Sequence, residues 1–167
     1  MNPLVGIIMG SDSDLPVMRE TARQLKEFGI PFEIEISSAH RSPLRTAEYA
    51  RTAVQRGLKA VIVGAGGAAH LAGVVAAETI LPVIGVPIDS TPLSGIDSLL
   101  STVQMPSGVP VGVMAVGKAG AINAAVFAAQ IIATSDPEVA RKLTEFKEAL
   151  EQKVREKSEH VKKTFSV

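Results

Sequence analysis

Apolar residues gather in short runs of strand length, and each run gives way to a Gly- or Ser-rich turn and then to helical spacing. Residues 4–9 read as a first strand, and residues 15–28 as a helix that Gly29 stops. Residues 32–37 form a second strand, followed by a helix over 43–55 with Pro43 in its first turn and Gly57 past its end. A third strand at 60–63 leads through a Gly-rich turn into a helix over 68–79. Next come a fourth strand at 83–86, a loop rich in Pro, Ser and Thr, and a short helix over 96–104. Residues 111–116 make a fifth strand and residues 119–133 a helix that is apolar on nearly every side. Pro137 opens a long final helix.

Strands alternating with helices in this way predict one three-layer α/β domain over residues 1–167: a five-stranded parallel sheet covered on both faces, with residues 137–167 as a C-terminal helical extension. The flavodoxin-like (Rossmann-like) order 2-1-3-4-5 is expected, because a six-stranded Rossmann sheet needs one more strand than the sequence offers. Ligands of such sheets bind beyond the carboxyl ends of the strands, where the strand order reverses. Here that crevice falls between strands one and three, with strand two beside it. Residues 10–14, 38–42 and 64–70 are the loops that meet there, and they are chemically the most unusual segments of the chain.

Composition removes several classes of function. Lys and Arg together number 17, as do Asp and Glu, with no long basic run, which argues against nucleic acid or an anionic membrane as partner. The absence of cysteine rules out disulfides, thiolate zinc sites and a catalytic thiol. No apolar run is long enough to span a bilayer, and the first residues lack the basic and apolar regions of a secretory signal, so a cytoplasmic location is expected. Aromatic residues make up only 4%, which counts against a flavin, since flavins favour a ring to stack on.

The first loop, Gly-Ser-Asp-Ser-Asp, sets the hydroxyls of Ser11 and Ser13 beside the free N–H groups of the following helix, a combination that holds phosphate. Asp12 or Asp14 can cap that helix, and one of them can accept hydrogen bonds from ribose hydroxyls. Taken alone, the loop reads as a capped turn; it is neither a Walker loop nor a dinucleotide fingerprint. The second loop, Ser-Ser-Ala-His-Arg-Ser-Pro at 37–43, carries His40, which can take and give a proton near neutrality, and Arg41, which can grip a phosphate with two parallel hydrogen bonds. Neither residue has an evident structural purpose at a strand end. In the third loop, Gly64, Gly66 and Gly67 let backbone N–H groups approach a ligand, and the helix dipole that follows suits a carboxylate. His70 is expected in the first turn of that helix, either facing the site or bracing the loop through a hydrogen bond, with bracing favoured. His40, His70 and Asp14 lack the spacing of helix-borne metal ligands, so no metal is expected.

Taken together, the segments GIIMGSDSDLPVM, SAHRSP, GAGGAAHLAG and GIDSLLSTVQMPSGVPVGVMAVGKAGAINAA resemble the class I 5-(carboxyamino)imidazole ribonucleotide mutases of de novo purine synthesis, the phosphoribosylaminoimidazole carboxylase catalytic subunit family. The resemblance covers most of the chain, in family order. It departs at Ala72, where the family has Pro in HLPG. It implies that a carboxylate moves from the exocyclic nitrogen of an imidazole ribonucleotide to ring carbon 4, without ATP, metal or organic cofactor. It further implies that His40 is the acid–base residue and that Ser11, Asp14 and Arg41 bind phosphate and ribose. Ser38 and Ala39 would flank the base, while Gly66, Gly67, Ala68 and His70 would line the carboxylate pocket. A second class of the family carboxylates aminoimidazole ribonucleotide with CO2 directly; GAGGAAHL resembles the mutase class. A non-catalytic flavodoxin-like nucleotide binder is the third alternative, which fold alone does not exclude. A homo-oligomer is expected from the apolar 119–133 helix and from the stripe Val139, Leu143, Phe146, Leu150 and Val154; the number eight comes from the resemblance alone.

Overall fold

The central strand β1 (Val5–Met9) is a continuous buried apolar run, as a strand covered on both faces requires. In the computed structural model, which describes residues 2–165, it pairs in parallel with β2 (Phe32–Ile36) on one side and β3 (Ala60–Gly66) on the other. β4 (Val83–Ile88) and a two-residue β5 (Gly112–Val113) extend the sheet, giving the order β2-β1-β3-β4-β5. This is the predicted flavodoxin-like order. Met1, Ser166 and Val167, the ends of the expected 1–167 domain, lie outside the described residues.

Among the described residues six α-helices accompany the sheet: α1 (Leu15–Glu27), α2 (Pro43–Thr52), α3 (Leu71–Glu78), α4 (Ile96–Val103), α5 (Lys118–Ala133) and α6 (Pro137–Phe165). One face of the sheet presents Val5, Ile7, Met9, Ile62, Ile84 and Val86 to Met18 and Leu25 of α1 and to the alanines of α5. The other face presents Ile8, Val61 and Val63 to Ala50, Leu71, Ala72 and Val75 of α2 and α3. Ala72, the family departure, is a fully packed core position here, 1% exposed. At the edge, β2 reads FEIEI, and its Glu33 and Glu35 pair with Arg56 and Arg45 on the α2 side.

The structure moves three boundaries. β3 and β4 run past residues 63 and 86 to Gly66 and Ile88, because their pairing continues as Ala65↔Pro87 and Gly66↔Ile88. β5 is shorter than residues 111–116: Met114 N–H still donates to the Gly85 carbonyl at 2.9 Å, but the chain then bends until the Ala115 carbonyl lies against Gly120 of α5. The third helix starts at Leu71 rather than 68. Gly67 takes φ +61°, and the Ala69 and His70 N–H groups bond back to the carbonyls of Gly67 and Ala68, a tight turn that helical backbone does not share.

The apolar surround of α5 is used within the chain. Its Ala121, Ala124, Ala125, Ala128 and Ala129 are fully buried beneath the sheet, α1 and α6, and Thr21 Oγ1 of α1 donates to the Ala121 carbonyl at 2.8 Å. The alanine side of this helix is thus covered by its own chain, while Phe127 on the opposite side is left 39% exposed. The first half of α6 folds back in the same way. Val139 and Leu143 join the core, Phe146 meets Phe28 edge-on with centroids 5.3 Å apart, and Lys142 Nζ donates to the Phe28 carbonyl at 3.0 Å. From Lys147 to Phe165 every residue of α6 is exposed, including Leu150, Val154, Val161 and Phe165.

Candidate active site

Parallel register brings the carboxyl ends of three strands level: Met9 of β1 pairs with Ile36 of β2 and with Gly64 of β3. The loops that leave these ends enclose a cavity of about 340 Å³, a size suited to a small ligand. Its walls take Ser11, Ser13 and Asp14 from the first loop, Ser38, Ala39, His40 and Arg41 from the second, and Gly66 and Ala68 from the third. Nine of the eleven residues singled out from the sequence thus come together. Gly67 and His70 do not line the cavity.

The first loop is held by a reciprocal cap. Ser11 Oγ accepts from the Ser13 N–H at 3.4 Å, and the Ser11 N–H donates to Asp14 Oδ2 at 3.1 Å, around a 3-10 turn over Asp12–Asp14. Asp14, not Asp12, is therefore the structural carboxylate of the loop; it is 4% exposed, while Asp12 faces solvent. Burial raises the pKa of Asp14 above the ordinary carboxylate value, against the opposing N–H groups of Ser11 and Gly10.

The second loop is fixed from beneath by hydroxyls. Ser37 and Thr46 share a buried hydrogen bond of 2.8 Å, and Ser42 Oγ accepts from the Ser38 N–H at 3.0 Å. With its root pinned, the loop turns His40 and Arg41 outward. Arg41 Nη2 donates to the Gly10 carbonyl at 3.2 Å, tying the second loop to the first, and its Nε donates to Ser38 Oγ at 3.4 Å. Both acceptors are neutral, and among the described residues no carboxylate forms an ion pair with Arg41, so an anion can meet its guanidinium at the cavity wall. A second cavity of about 540 Å³ opens on the far side of Arg41, with Arg45 and Ser42 on its rim.

His70 caps no backbone group of α3, although it occupies the N-cap position. Instead its Nδ1 lies 2.9 Å from Nε2 of His40, with the two rings edge to face at 84° and centroids 5.0 Å apart. The side chain of His70 thus has a hydrogen-bonding partner, and that partner is His40 of the cavity wall. Among the described residues no group of three His, Asp or Glu side chains is placed to hold a metal ion.

Four lining residues escaped the sequence reading as ligand contacts: Gly10, Ala65, Leu71 and Ser90. Ser90 is the informative one. It follows β4, one strand beyond the switch point, and a Cβ on Gly66 would lie 1.9 Å from its hydroxyl. Gly66 is thus the residue that lets the β4–α4 loop close the cavity. The only signal for Ser90 was its place just past a strand's carboxyl end.

Fold and cavity together define a flavodoxin-like α/β protein with a small-molecule site at the switch point. Residues 4–153 match the family described as AIR carboxylase, and the chain belongs to that family. It is 57% identical over 159 residues to the N5-carboxyaminoimidazole ribonucleotide mutase of Pyrococcus horikoshii, covering 95% of this chain and 89% of that protein. It is 55% identical to the mutase of Bacillus subtilis, over 96% of this chain and 99% of that one. Among solved structures, Treponema denticola PurE superposes with a TM-score of 0.85 at 30% identity, covering 99% of both chains. No helix among the described residues is long and apolar enough to cross a membrane.

Proposed function

We propose that this chain is an isomerase of de novo purine synthesis. It moves the carboxyl group of 5-(carboxyamino)imidazole ribonucleotide from the exocyclic nitrogen to ring carbon 4, giving 4-carboxy-5-aminoimidazole ribonucleotide. The observation that carries this reading is the meeting of His40 and Arg41 in one cavity of mononucleotide scale, in a chain 55–57% identical to two named mutases.

The reaction breaks the carbamate N–C bond and makes a C–C bond. His40 donates a proton to the nitrogen as CO2 leaves, and the freed CO2 is attacked by ring carbon 4. His40 then removes the proton from that carbon and returns to its starting state. Atoms and electrons balance without a co-reactant, so no cofactor enters the scheme. General acid–base transfer of this kind contributes about 10²–10⁴-fold. The remainder comes from holding CO2 against the ring, since free CO2 would diffuse away.

Arg41, Ser11 and Ser13 receive the phosphate, and Asp14 the ribose hydroxyls. Ser38 and Ala39 flank the base. Gly66 and Ala68, ahead of the positive end of α3, receive the carboxylate, and Gly67 supplies the turn between them rather than a wall of the cavity. The protein works in the cytoplasm as a homo-oligomer, an octamer by family resemblance, and neighbouring copies cover the bare second half of α6. Removing residues 150–167, which leaves Val139, Leu143 and Phe146 docked, should yield smaller species in sedimentation; full-sized assemblies would remove that half-helix from the role.

The test of the reaction is direct assay with the carbamate substrate. Conversion should be equal with and without ATP and after exhaustive chelation. A divalent ion that restores activity lost to chelation would return the metal alternative. The description of the family as AIR carboxylase favours one second reading, in which the same site takes CO2 from solution rather than from the substrate's own nitrogen.

A further inference from the structure

His70 stands outside the substrate cavity yet touches the one residue through which the proposed proton transfer runs. Its ring is solvent-exposed, and it makes no capping bond to the helix it precedes, so neither burial nor helix stability accounts for it. Its other side opens on a separate groove of about 480 Å³ between α3 and α4. Its side chain instead makes the 2.9 Å contact to His40.

A hydrogen bond between two neutral imidazoles requires one ring to donate and the other to accept. The tautomer of each ring is then tied to the tautomer of its partner. If Nε2 of His40 carries the hydrogen, its Nδ1 is bare; if Nε2 accepts, its Nδ1 carries the hydrogen. The edge-to-face contact fixes the plane of the His40 ring as well. Without this contact, His40 would be an exposed side chain on a loop, free to turn and to exchange tautomers.

We infer that His70 is the positioning residue of the site: it holds His40 in one ring orientation and one tautomer, so that the nitrogen that moves the proton is set before substrate arrives. This rests on the isomerase reading. It differs from the role that family resemblance implied, in which His70 lines the carboxylate pocket, because here His70 acts through His40 and not on substrate.

The test compares His70→Phe and His70→Asn with the full-length wild type. Phe keeps a ring of similar size but has no hydrogen-bonding atom; Asn keeps a polar atom near the position of Nδ1. For His70→Phe, kcat should fall roughly 10–100-fold, less than the loss of about 10²–10⁴-fold expected when the acid–base group itself is removed, while KM for the carbamate stays within about two-fold. His70→Asn should recover a good part of that loss. A structural role would not move the tautomer of another residue, so nitrogen-15 spectra of labelled histidine supply the deciding readout. The chain has only three histidines, which makes assignment direct. His40 should occupy one tautomer in the wild type and a mixture in His70→Phe. An unchanged His40 tautomer in His70→Phe overturns the inference, as does a kcat within two-fold of wild type or a KM that rises as far as kcat falls. Failure of the wild type to turn over the carbamate would overturn the isomerase reading instead, and the spectra would still decide whether His70 sets His40.

Discussion

The region around α5 and the loop end of the sheet are built on opposite principles. Around α5, contact is made by methyl groups and backbone: five fully buried alanines, and a glycine at 120 where a Cβ would lie 1.6 Å from the Ala115 carbonyl oxygen. At the carboxyl ends of β1, β2 and β3 the side chains are hydroxyls, charges and imidazoles, held by hydrogen bonds and partly open to water. The first region has no slack and carries no chemistry. The second has chemistry, and its groups are not needed to hold the sheet together. Stability and turnover should therefore separate cleanly by region.

The largest effect belongs to the loop end. His40→Asn should lower turnover by about 10²–10⁴-fold, since Asn cannot cycle a proton near neutrality. Nucleotide affinity and thermal midpoint should stay close to wild type. More than a tenth of wild-type turnover would take the acid–base role away from His40.

Gly120→Ala is the matching change in the closed region. The added methyl meets a backbone carbonyl that cannot rotate away, so the helix or the preceding turn must shift. A loss of about 3 kcal/mol in denaturant unfolding is expected, at the upper end of overpacking costs. The surviving folded fraction should turn over normally, because Gly120 is remote from the cavity walls. A variant as stable as wild type would show that this contact has slack.

Arg41→Ala returns to the loop end with a smaller effect. Loss of a charge-assisted phosphate contact should weaken binding of the product nucleotide by about 1.5–3 kcal/mol in calorimetry, with little change in thermal midpoint. Equal affinity would move the phosphate elsewhere, with the rim of Arg45 the first place to look.

Asp14 belongs partly to both regions, and its substitution should give a small stability effect that depends on pH. Burial raises its folded pKa above the unfolded value, so ionisation opposes folding. The resulting destabilisation is absent at low pH, grows as pH climbs from the unfolded carboxylate value of about 3.9 through the raised folded one, and persists above. Asn removes that ionisation and can still accept from the Ser11 N–H. The thermal midpoint of Asp14→Asn relative to wild type should therefore rise between acid and neutral pH, while nucleotide affinity drops. A difference that shrinks over that range would contradict the assigned cause.

Strand order and the meeting of three loops were legible because both follow from local pattern and one topological rule. Apolar runs at Val5–Met9 and Val83–Ile88 mark buried parallel strands wherever they occur, and the switch-point rule then selects the loops. What escaped depended on partners distant in sequence. The all-round apolarity of α5 could not reveal whether its cover was a second chain or α1 and α6, since both would ask for the same residues. The start of α3 depended on Gly67 taking positive φ, which its neighbours Gly64 and Gly66 do not share. Ser90 entered the cavity through a contact with Gly66, 24 positions earlier, that leaves no local trace. A hydrogen bond from His70 is among the expectations from the sequence, but its partner His40 is not, because a hydrogen bond across 30 residues has no spacing signature.

The central claim is that the carboxyl group travels within one bound molecule. It is tested most directly with substrate carrying a carbon-13 carbamate, turned over in unlabelled bicarbonate. The isomerase account predicts that the 4-carboxy product keeps the label throughout the reaction. Product carrying carbon from the unlabelled pool, or turnover only from aminoimidazole ribonucleotide and dissolved CO2, would contradict it.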